Sequence, residues 1–508
     1  MIEKVIFKSL FMQSKKFKNY IIFLWLLICL VACKSIKNFS LYPINEFFPI
    51  ENIGSDVVIS LKKGKYVTKD YIQIENINNL VINGNGSTLT MSQLPNYNNP
   101  AILKFFKCNN ITLLNLTIIG LNENLGEKSL LHNIFIYNCK NIKFNNINCL
   151  NASGDGIQIA SDASQINEYS RNIVIDNFTI DQCKRNGISI INALDVKIKN
   201  GTIRNTRGHS PQAGIDIEPD FDQYRPGVSH ILLENLIIEK NGGSGIAIPY
   251  IGCSNNITIS KCSFIENDVG VYNCGLNVKI LGSLFDNNKS CGIIAIRYPE
   301  FNIPIDSTII RNNRLIGNPK GIYYKGSYGE IVGNDISKTS EEGMELAGLT
   351  GYDQTVIVSN NFIKGIKGNF GLVNNFSKFT FTNNNFENIS GMSAIALYNG
   401  KGIISGNKLD SIKGIGIIVY DAIVEIKDNQ FHHVFEEKIK IFEGNFGNTS
   451  AIVSNNQVFM NDGDKTNVFW DLNKKSTAKD NLFVSKEQKQ KSLMYLVGFK
   501  YLINNRID

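Results

Sequence analysis

The sequence predicts an all-β fold, a parallel β-helix in which coils of short strands stack into one tube. Three observations carry this reading. First, a strand-turn unit recurs at intervals of roughly 22–31 residues, the spacing of a stacked repeat. It reads Asn110-Ile111-Thr112-Leu113, Asn141-Ile142-Lys143-Phe144, Asn172-Ile173-Val174-Ile175 and Asn256-Ile257-Thr258-Ile259. Second, a shorter strand recurs as Gly156-Ile157-Gln158-Ile159, Gly187-Ile188-Ser189-Ile190, Gly214-Ile215-Asp216-Ile217 and Gly245-Ile246-Ala247-Ile248. Apolar and polar residues alternate in both, the two-residue period of an extended strand. Third, no helical period lies between the strands, which argues against crossover helices. Strands this short cannot bury their isoleucines alone. Coils stacked about 4.8 Å apart bury them as one column. Asn and Gly at the corners suit tight turns, and Asn amides are able to stack as a ladder.

The chain opens differently. Lysines 4, 8, 15, 16 and 18 precede an apolar run, Tyr20 to Leu30, and then Val31-Ala32-Cys33. A basic flank, a short apolar core and a small-residue junction describe an export signal. The run is too short to span a bilayer comfortably. Leu30-Val31-Ala32-Cys33 resembles the lipobox of bacterial lipoproteins. That resemblance implies cleavage before Cys33, lipid on its sulfur and amino group, and attachment to a membrane of the bacterial cell envelope. The leaflet and side, periplasmic or surface, are not written in Lys34-Ser35-Ile36-Lys37. Residues 1–32 hold a net +4 of the chain's +7, which leaves +3. No basic run with interleaved aromatics occurs, so nucleic acid is not an expected partner.

Residues 33–54 read as a linker and 55–460 as the solenoid. Leu61-Lys62-Lys63-Gly64-Lys65-Tyr66 and Asn83-Gly84-Asn85-Gly86 form opening coils. Weaker copies of the short strand follow at Gly270-Val271, Gly292-Ile293, Gly321-Ile322 and Gly343-Met344, and corner asparagines continue at Asn360-Asn361-Phe362 and Asn429-Gln430-Phe431. Excursions at 120–132, 161–171, 220–230 and 298–306 exceed a corner turn, and long excursions from a solenoid shape a binding face. From Met460 the repeat fades. Residues 461–508 are expected to cap the open end, with a helix over 485–501. Taken together, this repeat resembles the single-stranded right-handed parallel β-helix, or pectin-lyase-like, family over roughly residues 55–460. The resemblance implies the fold and leaves the activity open.

Aligned on Gly-Ile, the position two residues after each Gly faces solvent. That column reads Gln158, Ser189, Asp216, Ala247, Tyr272, Ile294, Tyr323 and Glu345. Arg185, Glu218, Tyr250, Arg297, Tyr298 and Lys325 share its edge. Acids, cations and tyrosines on one face suit a polysaccharide: aromatic faces meet sugar rings and charges read hydroxyls or carboxylates. Asp216 and Glu218 have Cα atoms roughly 6.5–7 Å apart along one strand, a spacing that permits an acid–base pair. Asp155 and His209 are the other catalytic candidates. Crowded carboxylates raise one another's pKa and so supply a proton donor near neutrality. The same acids, with Asp220 and Asp222, offer oxygen ligands for Ca²⁺. Gly208-His209 and Gly154-Asp155-Gly156 resemble motifs of polygalacturonase-like hydrolases. However, Arg185-Asn186 stands where those enzymes carry an Asp pair, Ser210 replaces a Gly, and no downstream Arg-Ile-Lys occurs. These departures keep the chain out of that hydrolase family.

Ten cysteines are present. Eight lie beyond the signal and recur at equivalent repeat positions, as in Asn138-Cys139-Lys140 and Gly252-Cys253-Ser254, without CxxC spacing. They read as a buried small-residue column, not a metal site. The expected function is action on a polysaccharide, as hydrolase or as lyase or epimerase on a uronate glycan. The alternative is a non-catalytic glycan-binding or adhesion module.

Overall fold

The structure, a computed structural model, describes residues 41–43, 56–93, 101–121, 130–164, 166–220, 227–249, 254–297, 307–349, 353–442, 444, 449–460, 468–472, 474–484 and 496–507 of the 508. Two parallel sheets run along one tube. The narrow sheet takes one short strand from each coil, from Ile72–Glu75 through Ile157–Ala160, Ile188–Ile190, Ile215–Ile217 and Ile246–Ile248 to Leu496–Val497. The wide sheet takes the rest, as in Ser170–Asp181, Ala193–Arg204 and Val228–Glu239.

Register follows the alternation in the sequence. Ile157 pairs with Ile188, Ile188 with Ile215, and Ile215 with Ile246. All are fully buried, in one apolar core that runs from Leu61 to Phe483. Each such isoleucine contributes about 1.5–3 kcal/mol. A rung with two inward isoleucines therefore earns its place only in the stack.

The corners explain the asparagines. Each early wide-sheet strand bends at a left-handed Asn: Asn115, Asn146, Asn177, Asn200 and Asn235 all have φ of 53° or 54°. Asn tolerates this conformation better than other side chains that carry a Cβ. From Asn313 onward a left-handed residue is followed by an inward Asn, and these stack. The amide of Asn334 donates to Asn361 at 2.9 Å, Asn361 to Asn384 at 2.9 Å, and Asn384 to Asn407 at 3.0 Å. The relay continues through Asn429, Asn456 and Asn481 to Asn505. Each amide also closes a backbone carbonyl, as Asn361 does with Ile331. The inward amides of the corner are thereby paired, as buried polar groups generally are.

Two sequence expectations change here. The coils do not stop at Met460: Phe469–Asp471, Thr477–Lys479, Leu482–Val484, Leu496–Val497 and Tyr501–Ile503 continue the ladders in register. Within the expected capping helix of 485–501, residues 496–497 and 501 are strand, while 485–495 lie outside the described residues. The Asn relay holds these rungs after the Gly-Ile signal is gone. Leu41–Pro43, within the expected linker, pairs with Lys65–Val67. Cys33, the signal segment and Cys253 lie outside the described residues. Seven described cysteines are buried, as expected of a packed column. Among the described residues no helix is long and apolar enough to cross a membrane.

Candidate functional site

The outward column of the narrow sheet is in register as its sequence alignment implies. Gln158 pairs with Ser189, Ser189 with Asp216, Asp216 with Ala247, Ala247 with Tyr272, Tyr272 with Ile294, Ile294 with Tyr323, and Tyr323 with Glu345. Upstream, Gln158 continues into Phe135 and Lys104. Rungs are about 4.8 Å apart, so Tyr272 lies about 10 Å from Asp216 and Tyr323 about 19 Å.

Charge concentrates on three successive rungs. Arg185, in the turn before Ile188, reaches in two directions. Its Nη1 donates to Asp155 Oδ2 at 3.0 Å and its Nη2 to Glu218 Oε2 at 2.9 Å. Asp155 is wholly buried in the turn one rung below. It also accepts the Asn186 backbone N–H at 3.0 Å and the Ser189 hydroxyl at 2.9 Å. Its own N–H donates to His132 Nδ1 at 3.0 Å, so that nitrogen carries no proton and the hydrogen sits on Nε2. Burial keeps His132 neutral by lowering its pKa, against the pull of Asp155. Burial also opposes the Arg185 charge, but Asp155, Glu218 and Asp216 outweigh it and raise its pKa.

Asp216 faces outward between two core isoleucines, yet it is fully covered. Its Oδ2 accepts the Asn186 side-chain amide at 3.1 Å, and Oδ1 receives no donor among the described residues. Burial, the Glu218 charge and a hydrogen bond shared with Glu218 push its pKa up to about 8, with Arg185 pulling the other way. Asp216 is thus a carboxylic acid at neutral pH. Glu218, beyond Ile217 on the same face, keeps a side chain 30% exposed. The two carboxyls meet instead of standing apart, because Arg185 on the neighbouring rung draws Glu218 back over Asp216.

The other candidates fall elsewhere. His209 is half-buried, its backbone N–H on the Lys184 carbonyl, and its Nε2 has no partner among the described residues; no hydrogen bond joins it to the acid pair. Gln158 Oε1 is likewise buried without a partner. Tyr272, Tyr323 and Lys325 are half-buried on the same sheet farther along. Arg297 is buried and bonds the Ser327 hydroxyl. Asp220 is exposed and accepts the Asn192 amide at 2.7 Å. Among the described residues no group of three His, Cys, Asp or Glu side chains is placed to hold a metal ion. Tyr250, Tyr298 and Asp222 lie outside the described residues.

The sequence reading missed His132 and Asn186. Asn186 follows Arg185 in the turn, and no local pattern marks it. The signal for His132 was the equivalence of His132-Asn133-Ile134 with the following rung at Asp155-Gly156-Ile157.

The tube, its two unbroken ladders and this outward row now meet a family-level finding: the right-handed β-helix region matches residues 133–304 and 320–483, more than half of the chain. The chain belongs to the right-handed β-helix family. This β-helix protein is similar in structure to pre-mature gene product 12 of bacteriophage phi29, with a TM-score of 0.50, 12% identity, and 95% of this chain and 74% of that chain covered. It is also similar to the A-module of an Azotobacter vinelandii mannuronan C-5 epimerase (TM-score 0.43, 15% identity, 70% and 90% covered). A third likeness is to a mannuronic-acid-specific family 6 polysaccharide lyase from human gut microbiota (0.40, 12%, 72% and 86%). At these identities the likeness shows the fold. A search of the curated proteins found no match.

Proposed function

We propose that this β-helix protein is a polysaccharide-acting enzyme whose chemistry is proton transfer by the Asp216–Glu218 pair. One observation carries the reading: on the outward face of the narrow sheet Asp216 is fully buried beside Glu218, which Arg185 holds at 2.9 Å, and burial and the Glu218 charge push the Asp216 carboxyl toward its protonated form. A pair that shares one proton holds an acid and a base side by side. Such a pair removes and returns protons on one face of a sugar ring. Two-carboxylate hydrolysis needs carboxyls at least about 5 Å apart. Contact therefore favours elimination or C5 epimerisation, in which a base takes the proton next to a uronate carboxylate. Arg185, anchored by Asp155, is the cation for the charge that develops. Asp155 is then a positioning residue. The lipobox-like Leu30-Val31-Ala32-Cys33 supports a place at the cell envelope, lipid-linked through Cys33.

A binding-only module is the second reading, favoured by the complete cover over Asp216. Uronate and neutral glycans, incubated with wild type and with Asp216→Asn, separate the two. Expected is an unsaturated, ultraviolet-absorbing product or C5 inversion by NMR, lost in the variant. Reducing ends with no unsaturation would overturn the elimination reading. Binding with no product from any glycan would overturn the enzyme reading.

A further inference from the structure

We propose that the corner beside the acid pair is a subsite for an anionic group of the polysaccharide, held by Lys184 and Arg207. This rests on the polysaccharide reading above and assigns a site formed by residues other than the acid pair. Gln182, Lys184, Asn205 and Arg207 line an open groove of about 380 Å³. They come from two successive turns that lead from the wide sheet back to the narrow one. The first ends at Gly187, before Ile188; the second ends at Gly214, before Ile215. The groove therefore opens beside the turn that carries Arg185 and upstream of the strand that carries Asp216.

The turns are fixed by their backbone. Lys184 N–H donates to the Ala152 carbonyl at 2.9 Å and Arg207 N–H to the Cys183 carbonyl at 3.0 Å. Their charges are not spent. Among the described residues neither Lys184 nor Arg207 has a carboxylate within ion-pair distance, in contrast to Arg185, which has two. The nearest carboxylate in sequence, Asp181, is taken by Arg204 Nε at 3.0 Å and the Asn205 amide at 2.8 Å. The groove thus holds two cations without a carboxylate partner, beside the Gln182 amide and an Asn205 amide already bound to Asp181. The group that completes them is an anion, and the guanidinium fork suits a planar or tetrahedral oxyanion held through two oxygens. His209 lies in the same second turn, and its buried Nε2 has no partner among the described residues.

A uronate carboxylate and a sulfate ester share this chemistry. The test is titration calorimetry with three oligosaccharides of matched length: neutral, uronate-bearing and sulfated. Wild type and the double variant Lys184→Ala/Arg207→Ala are compared at low and high salt. The expected result is binding of one or both acidic glycans, weakened at least about tenfold in the double variant, a loss of about 1.4 kcal/mol. Added salt weakens wild type more than the double variant. The arm that binds names the anion. A thermal melt confirms that the double variant is folded. Acidic-glycan affinity unchanged in the double variant, or neutral glycan bound as tightly as acidic, overturns the subsite. Turnover that survives such a result leaves the catalytic reading standing. Charge-dependent binding with no turnover retains the subsite and removes the catalytic reading.

Discussion

Replacing Asp216 with Asn tests the acid directly, because the amide mimics the protonated carboxyl. It accepts from Asn186 through its oxygen and donates to Glu218 through its nitrogen. The folded carboxyl titrates at about 8 against an ordinary 3.8, chiefly through burial and the Glu218 charge. Between those values the unfolded chain is ionised at this position and the folded chain is not. Wild type therefore loses stability relative to the variant as pH rises from about 4 to about 8. Four pKa units at about 1.36 kcal/mol each set a ceiling on the order of 5 kcal/mol. Urea midpoints for both proteins across that range are the assay. The gap between variant and wild type should widen with pH, then level off above about 8. Catalysis that uses the acid should fall over the same upper limb. Parallel stability profiles would mean that Asp216 is ionised in the fold, and the proton-donor argument would fail.

Arg185→Met should destabilise the protein by about 3–5 kcal/mol, because it leaves Asp155 buried without its cation; adding Asp155→Asn should recover part of that in thermal melts. Asn361→Ala should cost about 3 kcal/mol or more, since it strips donors and acceptors from Asn334, Asn384 and the Ile331 carbonyl; a melt within 1 °C of wild type would refute the relay. Gly187→Ala should impair folding, as a methyl there collides with Ile203 and the Gly214 carbonyl; normal soluble yield and an unchanged melt would contradict it. The thiols of Cys183 and Cys291, pushed up to about 12 by burial, should not react with a disulfide reagent until the protein is unfolded, which mass spectrometry of labelled peptides reads out.

The tube and its outward row were legible because Gly-Ile pairs fix both face and register. Once Ile188, Ile215 and Ile246 align, Ser189, Asp216 and Ala247 must follow. The contact between Asp216 and Glu218 was not legible. Strand rise gives a Cα separation, but the side-chain positions depend on Arg185 one rung away. His132 was missed for a related reason: its meaning comes from Asp155 across the stack, and only the alignment of the two rungs reveals it. The last coils were misread because the marker is lost there: buried Lys438 stands where the preceding rung has Gly416, and Phe469-Trp470-Asp471 replaces Ile-x-Ile.

The asparagine relay has a consequence for how this molecule tolerates change. From Arg311 to Arg506 every corner on that edge spans two residues between its flanking strands, as at Asn312-Asn313, Asn360-Asn361 and Asn504-Asn505. One added residue there would throw each amide out of phase with the next. The opposite edge, after the narrow strands, has no such lockstep, and its connections range from short turns to the stretch between Arg297 and Ser307. Length variation therefore falls on the two corners that flank the narrow strands and border Asp216 and Glu218, while the asparagine corner keeps time for the stack.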